Sequence, residues 1–399
     1  MKPLEGMTVL DFTQAFSGPY CAMNLADYGA RIIKVERKGV GDQSRYWAPF
    51  NKDGYSGYYA VYNRNKESIS IDMRSEEGKD IIKKLFSEVD VVLENFKYGS
   101  LDKLGLGYDV AKEINPEIIF ASITGFGQTG PMKKKSAYDN IIEGMCGFME
   151  VTGFPENPPL RSGASVGDSY TGLMMDLAIA VAYYYKLRTG KGQRLDVSML
   201  DTMFSTIEDA VLAFSVDGRI LERTGNARPN QFAPYDTYAC KDGEIAVGII
   251  DDKMWESFCD AFGCKELKEE EKNASNELRC QNIDSLTLDM NRIFSEQTLE
   301  EAMEKMQRYG LPAAPVLVAS QAMKHPQLVD RGMVVTIDDA GLGKYQAFGV
   351  PVKFSETPGA IEKGAPKLGE NTKDILKEIG YTDKNIDSRI EAGVVEQSE

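Results

Sequence analysis

Met7-Thr-Val-Leu-Asp-Phe-Thr13, then Gly18-Pro19, Gly29 and Arg31-Ile-Ile-Lys-Val-Glu36, form the stretch that decides the fold. An apolar, β-prone run is followed by a proline where a first-turn amide has no helical partner, a glycine able to end a helix, and a second β-prone run. The unit reads as strand, helix, strand, and its length of about 30 residues suits a βαβ crossover.

The same pattern continues downstream. Ser68-Ile-Ser-Ile-Asp72 reads as a strand, and a helix from Ser75 gathers Ile81, Ile82, Leu85, Phe86 and Val89 on one stripe. Asp90-Val-Val-Leu-Glu-Asn-Phe96 is a further strand, a helix is expected near 109–114, and Glu117-Ile-Ile-Phe-Ala-Ser-Ile-Thr124 reads as a strand buried on both faces. Such alternation predicts an α/β fold with a parallel, Rossmann-like sheet. Residues 171–188 are apolar nearly all round, which predicts a buried helix ended by Gly190 before the strand Arg194-Leu-Asp-Val-Ser198. From about 222 to 315 the texture changes to a Pro/Asn-rich loop, a strand pair around Asp242-Gly243 and helices with charge runs. The expected division is a large domain over 1–200 and 320–399, a linker helix over 201–224, and a small α+β domain over 225–319. A β-like stretch over 332–357 and a final helix near 371–379 are assigned to the large domain.

Composition bounds the function. The 399 residues exceed the single-core limit of roughly 250–300. No window approaches the roughly 18 apolar residues of a membrane span, and the start MKPLEGMTVLDF lacks an export signal, so a cytoplasmic location is expected. Six cysteines without a C-x-x-C pair suit reduced thiols, and no metal site is expected. A net charge of −15 disfavours nucleic acid and anionic membranes as partners. Any anion site must then be a local concentration of cations.

Arg161-Ser-Gly-Ala-Ser-Val-Gly-Asp-Ser-Tyr-Thr-Gly172 sets a single acid, Asp168, between glycines at the mouth of the long apolar helix. The only histidine is His325, beside a proline in a loop-like context, so a Ser-His-Asp triad or a His relay is hard to assemble. Two readings of Asp168 stand together: a helix N-cap, and a carboxylate that acts alone as a nucleophile, kept ionised by the helix end. Arg37, Arg45, Arg74 and Lys103 fall at or after the C-terminal ends of strands, where α/β sheets bind ligands, although each alone also fits a solvated charge. Trp47, Phe50, Tyr58 and Tyr59 either line a small-molecule pocket or pack a core. Gly125-Phe-Gly-Gln-Thr-Gly130 matches a dinucleotide fingerprint in letters only, because Pro131 and three lysines follow instead of an apolar helix.

Pro3-Leu-Glu-Gly-Met-Thr-Val-Leu-Asp11, Leu25-Ala-Asp-Tyr-Gly-Ala-Arg-Ile-Ile-Lys-Val-Glu36, Gly41-Asp42, Asn63-Arg-Asn-Lys66, Glu94-Asn-Phe96, Leu104-Gly-Leu-Gly107 and Ser122-Ile-Thr-Gly-Phe-Gly-Gln-Thr-Gly-Pro131 occur in one order. With Gly167-Asp168-Ser-Tyr-Thr-Gly172 they give the chain a resemblance, over nearly its whole length, to the class III CoA-transferases. The resemblance implies that Asp168 is a covalent nucleophile, passing through an aspartyl mixed anhydride and an aspartyl-CoA thioester. It implies contacts to CoA from Arg37, Arg74, Asn95, Phe96, Lys103 and Ala15. Gln14 and Phe16, with Ala15, match a loop near the thioester, and Trp47, Tyr58 and Tyr138 match positions near the acyl group. It further implies an interlocked homodimer, no permanently bound cofactor, and coenzyme A, acyl-CoA and small carboxylates as substrates.

Two departures bear on substrate. Ala227-Arg-Pro-Asn-Gln231 stands where formyl-CoA transferases carry a glycine run, and Phe16 replaces a glutamine. The acyl-CoA racemases of the same fold carry Gly-His-Asp where this chain has Ala137-Tyr-Asp139, so one of their two bases is missing. A racemase or epimerase, and a non-catalytic acyl-CoA binding protein, remain the alternatives.

Overall fold

The computed structural model describes residues 1–48, 51–52, 54–229 and 231–398, with backbone alone at 51 and 52. Phe50 of the aromatic stretch and Asn230 of the proline-rich loop lie outside the described residues. The chain divides into two compact units: Met1–Phe148 with Ser162–Glu208 and Pro326–Glu399, and Met149–Arg161 with Asp209–His325.

The first unit is built on a sheet whose parallel strands are β1 (Thr8–Asp11), β2 (Arg31–Arg37), β3 (Glu67–Ile71), β4 (Val91–Glu94), β5 (Ile119–Thr124) and β6 (Arg194–Ser198). Their spatial order is β3-β2-β1-β4-β5-β6, the doubly wound Rossmann order, with the short strand Val395–Glu396 antiparallel on the β3 edge. Alternate residues serve opposite faces. Leu10, Phe12, Ile33, Val35 and Val92 pack with the stripe of α2 (Glu76–Glu88) and with Ile375, Leu376 and Ile386 from helices Thr372–Glu378 and Asp383–Glu391. Val9, Ile32, Val91, Leu93 and Ile123 pack on the other side with Cys21, Ala22 and Leu25 of α1 (Ser17–Asp27) and Met175 and Ile179 of a long helix, Val166–Thr189. Because both faces of the sheet centre are covered, β1, β4 and β5 read as largely apolar runs, whereas the edge strand β6 alternates and is partly exposed.

Three expectations change. The long helix starts at Val166, not Thr171, and only one face is buried; Leu173, Leu177, Val181, Tyr184 and Leu187 are exposed on the other. The single linker helix becomes Met199–Phe204 and Glu208–Asp217, interrupted where the Ser205 and Thr206 hydroxyls donate to the carbonyls of Thr202 and Met203. The helix near 371–379 is followed by a second helix, Asp383–Glu391, whose Ile386 is fully buried.

The second unit holds the antiparallel strands Tyr235–Cys240, Gly243–Gly248 and Ala313–Pro315 under a core of Tyr238, Trp255, Phe258, Met290 and Phe294. Among the described residues no helix is long and apolar enough to cross a membrane.

Candidate active site

In a doubly wound sheet the ligand crevice opens at the carboxyl ends of the strands where the strand order reverses, here between β1 and β4. The loops leaving those two strands are tied to each other. Asn95 accepts the Gln14 N–H at 2.9 Å and donates its side-chain amide to the Gln14 carbonyl at 2.8 Å. From the β2 side, Lys34 donates to the Thr13 carbonyl at 2.7 Å and pairs with Asp42 at 3.0 Å, and Asp42 accepts the Ala15 N–H at 3.2 Å. Both Lys34 and Asp42 are fully buried; burial opposes their charges, but mutual attraction prevails, raising the lysine pKa and lowering that of the aspartate. Ala15 is thereby held at φ +68°, a left-handed conformation that a residue with a Cβ rarely adopts. The buried charges thus fix the loop and do not face a ligand.

The signature residues behind this loop are structural in the same way. Lys66 meets Asp11 at 3.1 Å, Arg64 meets Asp27 at 2.6 Å, and Arg45 meets Glu36 at 2.7 Å beneath the Tyr59 ring. Tyr59 therefore takes the core-packing reading of the two the sequence offered, and Arg45 is neither a ligand cation nor a solvated charge but a buried ion-pair partner.

Beside the loop is a cavity of about 540 Å³ whose lining includes Gln14, Arg37, Lys38, Arg74, Phe96 and Leu104. Arg37 ends β2, and Arg74 follows β3 with its N–H on the Asp72 carboxylate at 3.0 Å. Among the described residues neither guanidinium forms an ion pair, which leaves both forks available. Asn95 acts at one remove, through Gln14. Lys103 ends the short helix Ser100–Lys103 with its side chain exposed, and it does not line the cavity; Ser100 and Leu104 do.

Asp168 lies in the first turn of the long helix and is not its cap. The N-cap is Ser165, which makes no side-chain cap bond, and the acceptor for the Asp168 N–H is the Asp139 carboxylate at 3.2 Å. A Cβ on Gly167 would stand 2.8 Å from that Asp139 oxygen, so glycine is what lets the acid approach the helix end. Likewise a Cβ on Gly172 would stand 2.7 Å from the Ser17 carbonyl, so this glycine lets α1 and the long helix cross closely. The crossing brings Asp168 to Ser17 at the start of α1.

Burial and the Asp139 carboxylate push the Asp168 pKa up to about 7, against the smaller opposing effect of the Ser17 hydroxyl and N–H. The expectation that the helix end holds it low is corrected: two dipoles at helix starts weigh less than desolvation and a like charge nearby. Among the described residues no lysine or arginine contributes to its stabilisation. The outcome is a carboxylate that is about half ionised at neutral pH and far more basic than an ordinary aspartate, and basicity favours nucleophilicity.

Aromatic rings close the surroundings. Phe16 lies 4.4 Å from Tyr62 and 5.9 Å from Tyr58, and Trp47 lies 5.1 Å from Tyr58, between ring centroids. Burial, then neighbouring Tyr62, Asp168 and Asp139, raise the Tyr58 pKa; burial, then Tyr20 and Asp168, raise that of Tyr62 to about 12. Both phenols are therefore neutral in the neighbourhood of Asp168. Tyr138 is not with them: it is 72% exposed, and its main chain starts the helix Asp139–Cys146. Tyr62, Ser17 and Asp139 were not singled out as site residues from the sequence. The Tyr58/Tyr62 spacing of one helical turn was the signal for Tyr62, while nothing local marks Asp139 as a partner for a helix 29 residues away.

Among the described residues no group of three or more His, Cys, Asp or Glu could hold a metal, and the six cysteines are free thiols.

Comparison with known proteins places the chain in a family. The family model described as CoA-transferase family III matches residues 4–372. The chain is 34% identical to succinyl-CoA:glutarate CoA-transferase of Homo sapiens, covering 100% of this chain and 91% of that one. It is 36% identical to acetyl-CoA:oxalate CoA-transferase of Acetobacter aceti, covering 94% and 96%. The crystal structure of a CAIB/BAIF family protein from Brucella suis superposes with a TM-score of 0.85 at 35% identity, over 95% of this chain and 99% of that one. The chain belongs to CoA-transferase family III and is an enzyme of that class.

Proposed function

We propose that the protein moves CoA from an acyl-CoA thioester to a small carboxylic acid, with Asp168 as the covalent nucleophile. The observation that carries this reading is the continuity of residues 14–17: Gln14 lines the cation cavity, Phe16 stands in the aromatic cluster, and Ser17 touches Asp168. One rigid loop thus joins a place for phosphates to a place for a thioester.

Ionised Asp168 attacks the thioester carbonyl carbon, the C–S bond breaks, and CoA leaves as thiolate, giving an aspartyl mixed anhydride. The thiolate then attacks the Asp168 carbonyl carbon and expels the donor as its carboxylate, leaving an aspartyl-CoA thioester. The acceptor carboxylate repeats the two steps in reverse order. Each step exchanges one acyl–heteroatom bond for another and moves no proton, so histidine is not needed. Ser17, whose hydroxyl and N–H face the Asp168 carboxyl, is positioned to donate to oxygen during these steps, and Tyr58, Tyr62 and Phe16 keep water away from the anhydride. CoA is a substrate here and no resident cofactor is required. Arg37 and Arg74 bind its phosphates, Phe96 offers an apolar ring to the adenine, Asn95 and Ala15 shape the loop, and Trp47 borders the acyl group. Lys103 and Tyr138 have no part in this assignment.

The exposed apolar face of the long helix, with Leu173, Leu177, Val181, Tyr184 and Leu187, supports a homodimer in which a second copy covers it.

Incubation with an acyl-CoA in the absence of acceptor, followed by intact-mass and peptide analysis, tests the mechanism. The expected result is a CoA or acyl adduct on the Asp168 peptide, removed by hydroxylamine as an aspartyl hydroxamate. CoA exchange with no adduct and no trapping under any quench would rule it out.

A further inference from the structure

We propose that Lys38, held by the main-chain carbonyl of Gly393, is a third phosphate-binding cation of the CoA cavity, and that the segment around Gly393 is one of the cavity's working walls. This rests on the reading of the cavity as the CoA site.

Lys38 directly follows the last residue of β2 and lines the cavity with Arg37 and Arg74. A lysine in such a place has a long stem with many rotamers and ordinarily waves in solvent. Here its ammonium donates to the Gly393 carbonyl at 2.9 Å, which uses one of three N–H donors and leaves two for a ligand. Gly393 also lines the cavity. Its φ is +72°, and a Cβ there would stand 2.7 Å from the Lys38 nitrogen, so any side chain would displace the ammonium from its carbonyl.

The wall is anchored on both sides of this contact. The Val394 carbonyl accepts the Asp72 N–H at 2.8 Å, and Val395 pairs with Ile71 on the sheet edge. Glu396 accepts the Gly39 N–H at 2.8 Å, so the Lys38-Gly39 turn and the edge strand hold each other at two points. The electrostatics favour an anion strongly. Three cations share one cavity in a chain of net charge −15, and among the described residues none of the three forms an ion pair. Asp72, the one acid in the lining, accepts the Arg74 N–H. CoA offers a diphosphate and a 3′-phosphomonoester, more charge than two guanidinium groups neutralise.

Binding of a CoA thioester and of its 3′-dephospho analogue is measured by calorimetry for the wild type, Lys38→Met, Lys38→Arg and Gly393→Ala, with kcat and KM alongside. Lys38→Met weakens CoA thioester binding about three- to tenfold with a corresponding rise in KM, while kcat stays within about twofold. Lys38→Arg restores most of the affinity, and Gly393→Ala weakens binding in the same direction. A loss confined to the full thioester puts Lys38 on the 3′-phosphate, and an equal loss with both ligands puts it on the diphosphate; either supports the proposal. Unchanged binding of both ligands by Lys38→Met overturns it, as does an arginine variant as weak as the methionine one. A wild type that binds neither ligand would instead remove the CoA reading on which it rests.

Discussion

The cation cavity and the surroundings of Asp168 lie at the two ends of residues 14–17, yet their electrostatics are opposite. Among the described residues, positive charge around Arg37, Lys38 and Arg74 is left without ion partners, and negative charge around Asp168 is left without a cation, beside a second acid and neutral phenols. A lysine or arginine on Asp168 would bind the incoming thioester's oxygen well but would also lower the carboxylate's basicity. Separation lets the protein attract a polyanion with one region and keep a reactive carboxylate in the other. The buried pairs Lys34–Asp42 and Lys66–Asp11 make this possible, because they hold the joining loop without lending charge to either end.

The largest effect is expected at the acid end. Asp168→Asn removes the nucleophile while conserving size, and CoA transfer should fall on the order of a thousandfold or more, with acyl-CoA binding retained. Transfer within tenfold of wild type in a preparation verified by mass would show that the covalent step does not run through this residue.

At the cation end the effect should be smaller and of a different kind. Arg37→Met and Arg74→Met should each raise KM for acyl-CoA roughly tenfold and reduce kcat little, since a phosphate contact remote from the reacting bond is made equally in ground and transition states. The same variants should flatten the salt dependence of KM. A fall in kcat that matches the fall in kcat/KM would mean that the two regions are not separable.

Asp139 tests what tunes the acid. After burial, the larger cause, its carboxylate helps to raise the Asp168 pKa to about 7, and it also accepts the Asp168 N–H. Asparagine retains an acceptor for the helix end and discards the charge. The acidic limb of the kcat/KM profile, expected near pH 7 in the wild type, should therefore move to lower pH in Asp139→Asn. Asp139→Ala should show the same shift plus a stability loss of about 1 kcal/mol for the missing cap acceptor. A limb that stays in place would assign the raised pKa to burial alone.

Much of this was legible in the sequence, and the part that was not has a physical cause. The sheet could be read because both faces of its central strands are buried, which makes β1, β4 and β5 largely apolar runs. Asp168 could be singled out because glycines flank it and histidines are scarce. The exposed face of Val166–Thr189 was misread as buried because an apolar residue looks the same whether the fold covers it or leaves it for another surface. Lys103 and Tyr138 were assigned by motif position, and both side chains are exposed, because position along a chain does not say which way a side chain points. Asp139 was missed as a site residue because its role exists only where two helix starts converge, and Gly167 and Gly172 are the sole local trace of that convergence.

The smallest expected effect concerns stability, and its sign follows from the raised pKa. An unfolded aspartate titrates near 3.9, while folded Asp168 titrates at about 7. Between these values the folded protein binds a proton that the unfolded chain has released, so the cost of the buried charge is fully present above pH 7 and is relieved as pH falls toward 4. Asp168→Asn removes that cost. The variant should melt a few degrees higher than wild type at pH 8, and the difference should shrink steadily toward pH 5. A variant that melts lower at pH 8 would mean that the bonds between the Asp168 carboxylate and Ser17 outweigh desolvation, and the acid end would then be a structural contact like those beneath the loop. A higher melting point joined to lost transfer would instead identify Asp168 as a residue kept for chemistry at the expense of stability.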